Sequence, residues 1–316
     1  MVYFTFFDTV SYVYSYAEDP ETEFSANCES VAAILEEYHR LFDIYYEHAN
    51  INNLKTINEN AGKDPVKVDQ KLIDFLLYAK ELYTLTNGEM NVMMGSVLAL
   101  WHDSREAASA TPASAAIPDA DKLSEAALHT DISLLEIDET NATVRITDPD
   151  ARIDVGALGK GYATEMAAQY LKAKGVDGYV LNIGGNIRIV GHKPDGSGWG
   201  TGIKNPADPS QYALKITIAN TSCVTSGDYE RYFIADGVKY HHVIDKDTLM
   251  PSAYFSSVSI ITENSALADA LSTALFTMSY EDGLALINKI GGVEVLWISA
   301  NGEMKMSEGM HALVME

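Results

Sequence analysis

Cysteine is nearly absent from this chain. Cys28 and Cys223 are the only two in 316 residues, too few for a disulfide framework. No C-x-x-C occurs, which removes cysteine-rich zinc and thioredoxin-type chemistry and leaves each thiol as a small buried apolar group. Basic residues are also scarce: 22 Lys and Arg stand against 45 Asp and Glu, a formal net charge of -23. That balance argues against nucleic acid and anionic membrane surfaces as partners. It also repels anionic ligands at long range, so a phosphate ligand would need a local lysine, backbone donors or a bound cation. No apolar run reaches the ~18 residues of a membrane span. The opening M-V-Y-F-T-F-F-D-T-V is short and lacks basic flanks, so it is not a signal peptide; a leader on an exported native protein would have been removed.

Against these absences, a hydrophobic content of 47% is enough for a sizeable core. Residues 2–16 alternate hydroxyl and aromatic side chains and read as one strand. Helical periodicity predicts helices over Glu23 to Phe42 and Asp69 to Leu85. Asn50 to Lys63 reads as loop or short turn, Asn91 to Trp101 as a mostly apolar core segment, and Ser104 to Asp121 as an exposed loop. Leu134 to Ile146 reads as a hairpin. Further strands are expected over Lys215 to Ala219, Ser222 to Thr225, Tyr229 to Asp236, Val238 to Ile244, Ser256 to Thr262 and Glu294 to Ser299, with a helix over Ala266 to Met278. There is no internal repeat and no βαβα rhythm, which favours an α+β fold. No segment reads as a linker, so residues 1–316 are expected to form one domain.

The stretch from Asp154 to Asn186 holds the densest chemistry. A glycine-rich turn at Gly156, Gly159 and Gly161 precedes a helix expected from about Tyr162 to Lys174, and a strand from Tyr179 to Ile183 ends at Gly184-Gly185. Glycines before a helix let backbone N–H groups approach an anion, and Lys160 adds a full charge. The spacing fits neither a Walker loop nor a dinucleotide fingerprint, and a plain strand-to-helix connection uses the same residues. Asp269 and Thr273 sit at i and i+4 of one helix, so both oxygens can face one Mg²⁺; equally, Asp269 can be a carboxylate near a helix start. His241 and His242 fall in a strand, which points them to opposite faces, so at most one serves a given site. Thr225, Ser226 and the Gly227 amide can make a polar turn for a phosphate or sugar oxygen, or an ordinary strand end. Phe42 to Tyr46 offers aromatic rings to a flat heterocycle or to the core.

In order and spacing these segments resemble the FAD:protein FMN transferase (ApbE) family over nearly the whole chain. D-V-G-A-L-G-K-G-Y-A is similar to the family's D-L-G-A-I-A-K-G-Y-A, L-N-I-G-G-N to its Gly-Gly-Asn turn, and A-D-A-L-S-T-A to its A-D-A-L-A-T-A. H-H-V-I-D-K-D-T-L-M-P resembles H-I-I-D-P-x-T-G-x-P, with Lys246 and Leu249 in place of proline and glycine. T-N-G-E-M-N-V resembles T-x-G-x-F-D-x, with Asn91 in place of aspartate. F-D-T-V resembles an M-G-T segment, with Phe7 in place of methionine.

The resemblance implies a two-lobed, T-fold-like α+β architecture with the ligand in a cleft between lobes. It implies Mg²⁺ on Asp269, Thr273 and the Ala157 carbonyl, and FAD on Phe7, Tyr45, Glu89, Met90, Asn91, Asp154, Lys160 and Val243, with Tyr45 stacked on the isoalloxazine ring. Thr225, Ser226 and Gly227 join this set as phosphate-facing candidates. His242 is implied as general base. The implied activity is transfer of FMN from FAD to a threonine or serine hydroxyl of an acceptor flavoprotein, releasing AMP. Hydrolysis of FAD to FMN and AMP, or FAD binding without catalysis, are the alternatives. Family members of this type are commonly extracytoplasmic lipoproteins, so the native form is expected to be membrane-anchored through an N-terminal lipid.

Overall fold

The computed structural model describes residues 2–16 and 20–315. In chain order its elements begin with β1 (Val2–Phe6), β2 (Thr9–Ser15), α1 (Glu21–Phe42), α2 (Leu54–Glu59), β3 (Val66–Lys67), α3 (Gln70–Leu85), α4 (Gly95–Ala110) and α5 (Ala120–Ala127). They continue with β4 (Leu135–Asp138), β5 (Thr143–Ile146), α6 (Gly159–Ala173), β6 (Tyr179–Ile183), β7 (Asn186–Val190), β8 (Trp199–Asn205), β9 (Asp208–Ile218) and β10 (Ser222–Gly227). The last are β11 (Tyr232–Ala235), β12 (Val238–His241), β13 (Ser257–Thr262), α7 (Ser265–Ala274), α8 (Tyr280–Ile290), β14 (Glu294–Ile298) and β15 (Met304–Met306). The fold is α+β. Two compact units are woven from separated segments: Met1–His39, Ala157–Gly227 and Tyr254–Glu316 form the first, Arg40–Gly156 and Asp228–Ala253 the second.

The first unit is built on an eight-stranded antiparallel sheet ordered β1-β2-β6-β7-β10-β13-β14-β15. Its central strands are buried on both faces, which is why β13 reads as a nearly unbroken buried run rather than as an alternation. One face takes α6 and α7. The other is covered by the β8–β9 hairpin, whose Trp199, Ile203, Ile216 and Ile218 pack on Ile189, Cys223, Ile261, Leu296 and Ile298. Burial pushes the Cys28 thiol up to about 11 and Cys223 up to about 12, the behaviour of inert core groups.

The single strand expected over residues 2–16 is a hairpin. Phe7 and Asp8 turn between β1 and β2 with φ of 55° and 54°. Two consecutive left-handed residues are the type I′ geometry that Asn-Gly or Gly-Gly usually announces, so Phe-Asp gave no signal. Gly184 and Gly185 make the equivalent turn between β6 and β7 in the expected residues, with φ of 56° and 94°.

In the second unit, β3-β5-β4 form one small sheet and β11-β12 another. Met94, Val97, Trp101, Ala108, Leu123, Phe233, Ala235 and Ile244 make a shared core, with the Trp101, Phe233 and Tyr240 rings stacked at 5.6–6.3 Å. Of the exposed loop expected over Ser104 to Asp121, residues 111–119 are indeed a mostly exposed connection with one short 3-10 turn, while its flanks are the second half of α4 and the start of α5. Alanine-rich sequence favours helix even without a broad apolar face, and Asp119 caps α5 by accepting from the Asp121 and Lys122 amides. Asn50 to Lys63 likewise contains α2, capped by Asn53. Among the described residues no helix is long and apolar enough to cross a membrane.

The two glycine turns allow a direct comparison. Gly175 has φ 73° and nothing within 4 Å of a built Cβ, whereas at Gly184 a Cβ would lie 2.5 Å from Thr9 Cγ2. Gly175→Ala should lower stability by about 1 kcal/mol, the left-handed strain alone. Gly184→Ala should lose a further ~1–3 kcal/mol to the clash. Urea denaturation of both variants tests this; equal losses would show that Thr9 simply moves aside.

Candidate active site

The expected glycine turn ahead of α6 is largely helical. The helix starts at Gly159, three residues earlier than predicted, so Lys160 and Gly161 lie in its first turn. Leu158 provides no side-chain cap. The cap comes instead from α7: the Gly161 N–H donates to Asp269 Oδ2 at 2.8 Å, and Lys160 Nζ lies 3.7 Å from the same oxygen. Asp269 is 4% exposed and stands a full turn inside its own helix, so it does not serve its own helix start. It places a carboxylate at the positive end of α6, where the helix dipole and Lys160 stabilise the charge.

This gives the glycine a structural reason. A Cβ on Gly161 would sit 2.4 Å from Asp269 Cβ and 2.5 Å from the Ser265 carbonyl. Glycine is required here because α7 crosses at this point. The small side chains of A-D-A-L-S-T-A make the same close approach possible from the other side; α7 is buried nearly all round.

The residues around Asp269 form a hard-oxygen set. Thr273, partly exposed, is one turn further along α7 on the same face. The ladder of α6 opens with Tyr162 N–H to the Leu158 carbonyl, while Gly161 N–H, which would otherwise close onto Ala157, goes to Asp269. The Ala157 carbonyl therefore stays outside the ladder. Carboxylate, hydroxyl and backbone carbonyl suit Mg²⁺, which uses few protein ligands and keeps waters.

Thr225, Ser226 and Gly227 do not form a polar turn. They lie within β10, so Thr225 and Ser226 face opposite sides of the sheet. Thr225 Oγ1 bonds Ser259 Oγ at 2.8 Å, and Ser226 Oγ bonds Ser272 Oγ of α7 at 2.8 Å. Phe7, also in the first unit, is half-buried at its turn, edge-on to His39 at 5.4 Å.

The second unit holds the other candidates. The strand expected over both histidines ends at His241, and His242 falls in the bend just after β12, so the pair is divided by the strand end and not by strand alternation. His241 is buried; its Nε2–H donates to the Ser252 carbonyl at 2.9 Å, its Nδ1 accepts from the Val243 amide, and burial pushes its pKa down. His242 Nδ1 lies 3.2 Å from the Arg231 carbonyl. A carbonyl only accepts, so Nδ1 carries the proton and Nε2 is the basic nitrogen of the neutral ring. Tyr45 is 50% exposed, its loop fixed by Asp43, which accepts the Tyr45 and Tyr46 amides. Asp154 accepts the Gly156 N–H at 2.8 Å; it keeps some accessible surface, yet burial pushes its carboxyl above the ordinary value. Met90 and Val243 are buried. Glu89 pairs with Lys246 at 3.3 Å. Asn91 donates to the Thr130 carbonyl and accepts from the Met93 amide, a two-way role that an aspartate could not fill. Leu249 adopts φ 60° where the resemblance has glycine, and Asp245 closes that loop by accepting the Asp247 and Thr248 amides.

Sequence reasoning passed over Glu165 and Arg188, which are buried and hydrogen-bonded to each other beneath α7. The available signal was a charge inside an apolar pattern: Glu165 among the core residues of α6, and Arg188 between two isoleucines of β7. A second cluster, His129 with Asp148 and Asp150, could hold an ion by geometry. It is better described as an ion pair. The 2.7 Å hydrogen bond between His129 Nδ1 and Asp148 Oδ2 pushes the His129 pKa up and the Asp148 pKa down, so each already serves as the other's partner.

The structure thus defines an α+β protein in which a buried carboxylate, held by a neighbouring helix, shares one face with a hydroxyl. Residues 7–297 match the ApbE family model, and the chain belongs to the ApbE family. It is 31% identical to the FAD:protein FMN transferase of Treponema pallidum (strain Nichols), across 96% of this chain and 85% of that protein. It is 28% identical to the FAD:protein FMN transferase of Vibrio cholerae, across 87% and 80%. The crystal structure of the ApbE protein of Thermotoga maritima superposes with a TM-score of 0.86 at 27% identity, covering 100% of this chain and 99% of that one. The Vibrio cholerae flavin transferase ApbE shares the fold, with a TM-score of 0.81 at 24% identity over 99% and 98%.

Gly161→Ala tests the helix crossing. It should lower stability by about 1–3 kcal/mol through overpacking, although alanine is the better helix former. An unchanged or raised denaturation midpoint would show that α6 and α7 are not held this closely.

Proposed function

We propose that this chain is an FAD:protein FMN transferase that uses Mg²⁺ and modifies a threonine or serine of an acceptor flavoprotein. What supports the reading most is Asp269: a buried carboxylate fixed to the first turn of α6, with Thr273 beside it, in a chain of the ApbE family. In the reaction the acceptor hydroxyl oxygen attacks the FMN-side phosphorus of FAD. A new P–O bond forms, the pyrophosphate P–O bond breaks, AMP leaves, and the hydroxyl proton goes to His242 Nε2. Hydrogen bonding of Nδ1 to the Arg231 carbonyl fixes the tautomer that leaves Nε2 basic.

Asp269, Thr273 and the Ala157 carbonyl would hold Mg²⁺. The ion supplies charge neutralisation on the pyrophosphate, which a chain of net charge -23 otherwise lacks. Lys160, already beside Asp269, adds a second positive charge. Phe7, Tyr45, Glu89, Met90, Asn91, Asp154 and Val243 are the proposed FAD contacts, with Tyr45 as the exposed ring that stacks on the isoalloxazine. Thr225, Ser226 and Gly227 keep only a supporting place, since their hydroxyls are engaged within the sheet and with α7.

The test is acceptor flavinylation, read by in-gel flavin fluorescence over a Mg²⁺ titration. Asp269→Ala should leave a folded protein whose transfer falls about 100-fold or more, the scale of removing the main electrostatic support of a transition state. Thr273→Ala should be milder, about tenfold, because water can replace a neutral ligand. Wild-type rates for Asp269→Ala at low Mg²⁺ would sink the metal assignment. AMP release without any acceptor would turn the reading toward hydrolysis.

The native form is proposed to act outside the cytoplasm, held to the membrane by an N-terminal lipid. The motivation is the family resemblance. The expected outcome is an open reading frame with an upstream leader ending in a lipidated cysteine; one that starts at Met1 would end the idea.

A further inference from the structure

Behind the Asp269 contact lies a second one of the same kind. Glu165 Oε2 on α6 accepts the Ser265 N–H, the first helical amide of α7, at 2.9 Å. Each helix thus offers a first-turn amide to a carboxylate of the other: Gly161 to Asp269, and Ser265 to Glu165. Glu165 is 4% exposed and its charge is met by Arg188 of β7, wholly buried, whose Nε lies 3.1 Å from the same oxygen.

The spacing of these contacts matters. Glu165 and Gly161 are four residues apart on α6, and Ser265 and Asp269 are four apart on α7, so the helices run antiparallel with both contacts in one register. Ala157 directly precedes the start of α6 and Thr273 lies one turn beyond Asp269 on α7, so both stand at the end of the helix pair where Asp269 caps α6. Those are the two remaining proposed Mg²⁺ ligands. Gly161 and Glu165 together therefore set both the slide and the roll of α7 against α6.

Stability alone is a poor account of the Glu165–Arg188 pair. Arg188 Nη1 reaches the Ile189 carbonyl, but Nη2 has no hydrogen-bond partner among the described residues. A buried pair with an unpartnered donor adds, as a pair, little stability over apolar residues of similar volume.

We propose that Glu165, with its charge balanced by Arg188, is a positioning residue for the metal site: it sets the register that brings Ala157, Asp269 and Thr273 together. The proposal rests on the Mg²⁺ reading above. The test measures Mn²⁺ binding by electron paramagnetic resonance, with Mg²⁺ competition, on the whole chain without FAD or acceptor. Thermal midpoints are recorded alongside.

The double replacement Glu165→Leu with Arg188→Met removes the ion pair without leaving a lone charge but strips the buried Ser265 amide of its acceptor; it should lower the thermal midpoint and weaken Mn²⁺ about tenfold, the usual effect of removing a group that orients a metal ligand. Glu165→Gln keeps an acceptor oxygen for the Ser265 amide but leaves Arg188 without its counter-charge. It should lower the midpoint and hold Mn²⁺ affinity within about twofold. Affinity would then follow the acceptor oxygen, kept in Glu165→Gln and lost in the double variant although both midpoints fall, a split that a merely structural role does not produce. Parent-like affinity in the folded double variant would overturn the proposal, as would affinity falling in both variants in step with stability. Should the double variant fail to fold, Glu165→Gln decides alone: retained affinity supports the role and a tenfold loss overturns it. Asp269→Ala is measured in parallel. If it binds Mn²⁺ like the parent, the metal reading falls and this proposal with it; if it loses binding while both Glu165 variants keep it, only the positioning role fails.

Discussion

The contact between the Gly161 amide and the Asp269 carboxylate governs the first unit. A helix end buried against another helix must find partners for its open amides. Here the partner is a side chain 108 residues away. That single hydrogen bond caps α6 and ties α7 to it. Gly161 makes the approach possible, since any side chain there would collide with Asp269 and the Ser265 carbonyl.

Charge scarcity gives the arrangement its chemical meaning. With 45 acidic and 22 basic residues, the chain has little positive charge to offer a pyrophosphate. It concentrates what it has. Lys160 and the α6 N-terminus face Asp269, and Arg188 is reserved for Glu165. A cation held by oxygen ligands would let such a surface receive an anionic substrate, and that is the ground on which Mg²⁺ is proposed for this chain.

The histidine pair shows how the end of a strand separates neighbouring residues. Residues 241 and 242 have the same ring and opposite fates. His241 turns inward, donates from Nε2 to a carbonyl and loses basicity to burial. His242 turns outward, donates from Nδ1 and keeps Nε2 basic. The different surroundings of the two rings come from the end of β12 together with two backbone carbonyls.

Much of this was legible in the sequence. Periodicity located α1, α3, α6 and α7 within a few residues, and the Gly184-Gly185 turn and the i, i+4 pairing of Asp269 with Thr273 follow from local geometry alone. Those features depend on near neighbours in the chain, which a linear pattern records. The structure alone decided the rest. It placed the Phe7-Asp8 turn where no glycine marked it, and turned an alanine-rich stretch into helix. It buried Glu165 against Arg188 and set Gly161 at a helix crossing. Each of these depends on which distant segment packs against a residue. A sequence states what a side chain can do; only tertiary packing states which partner, a hundred residues away, it does it with.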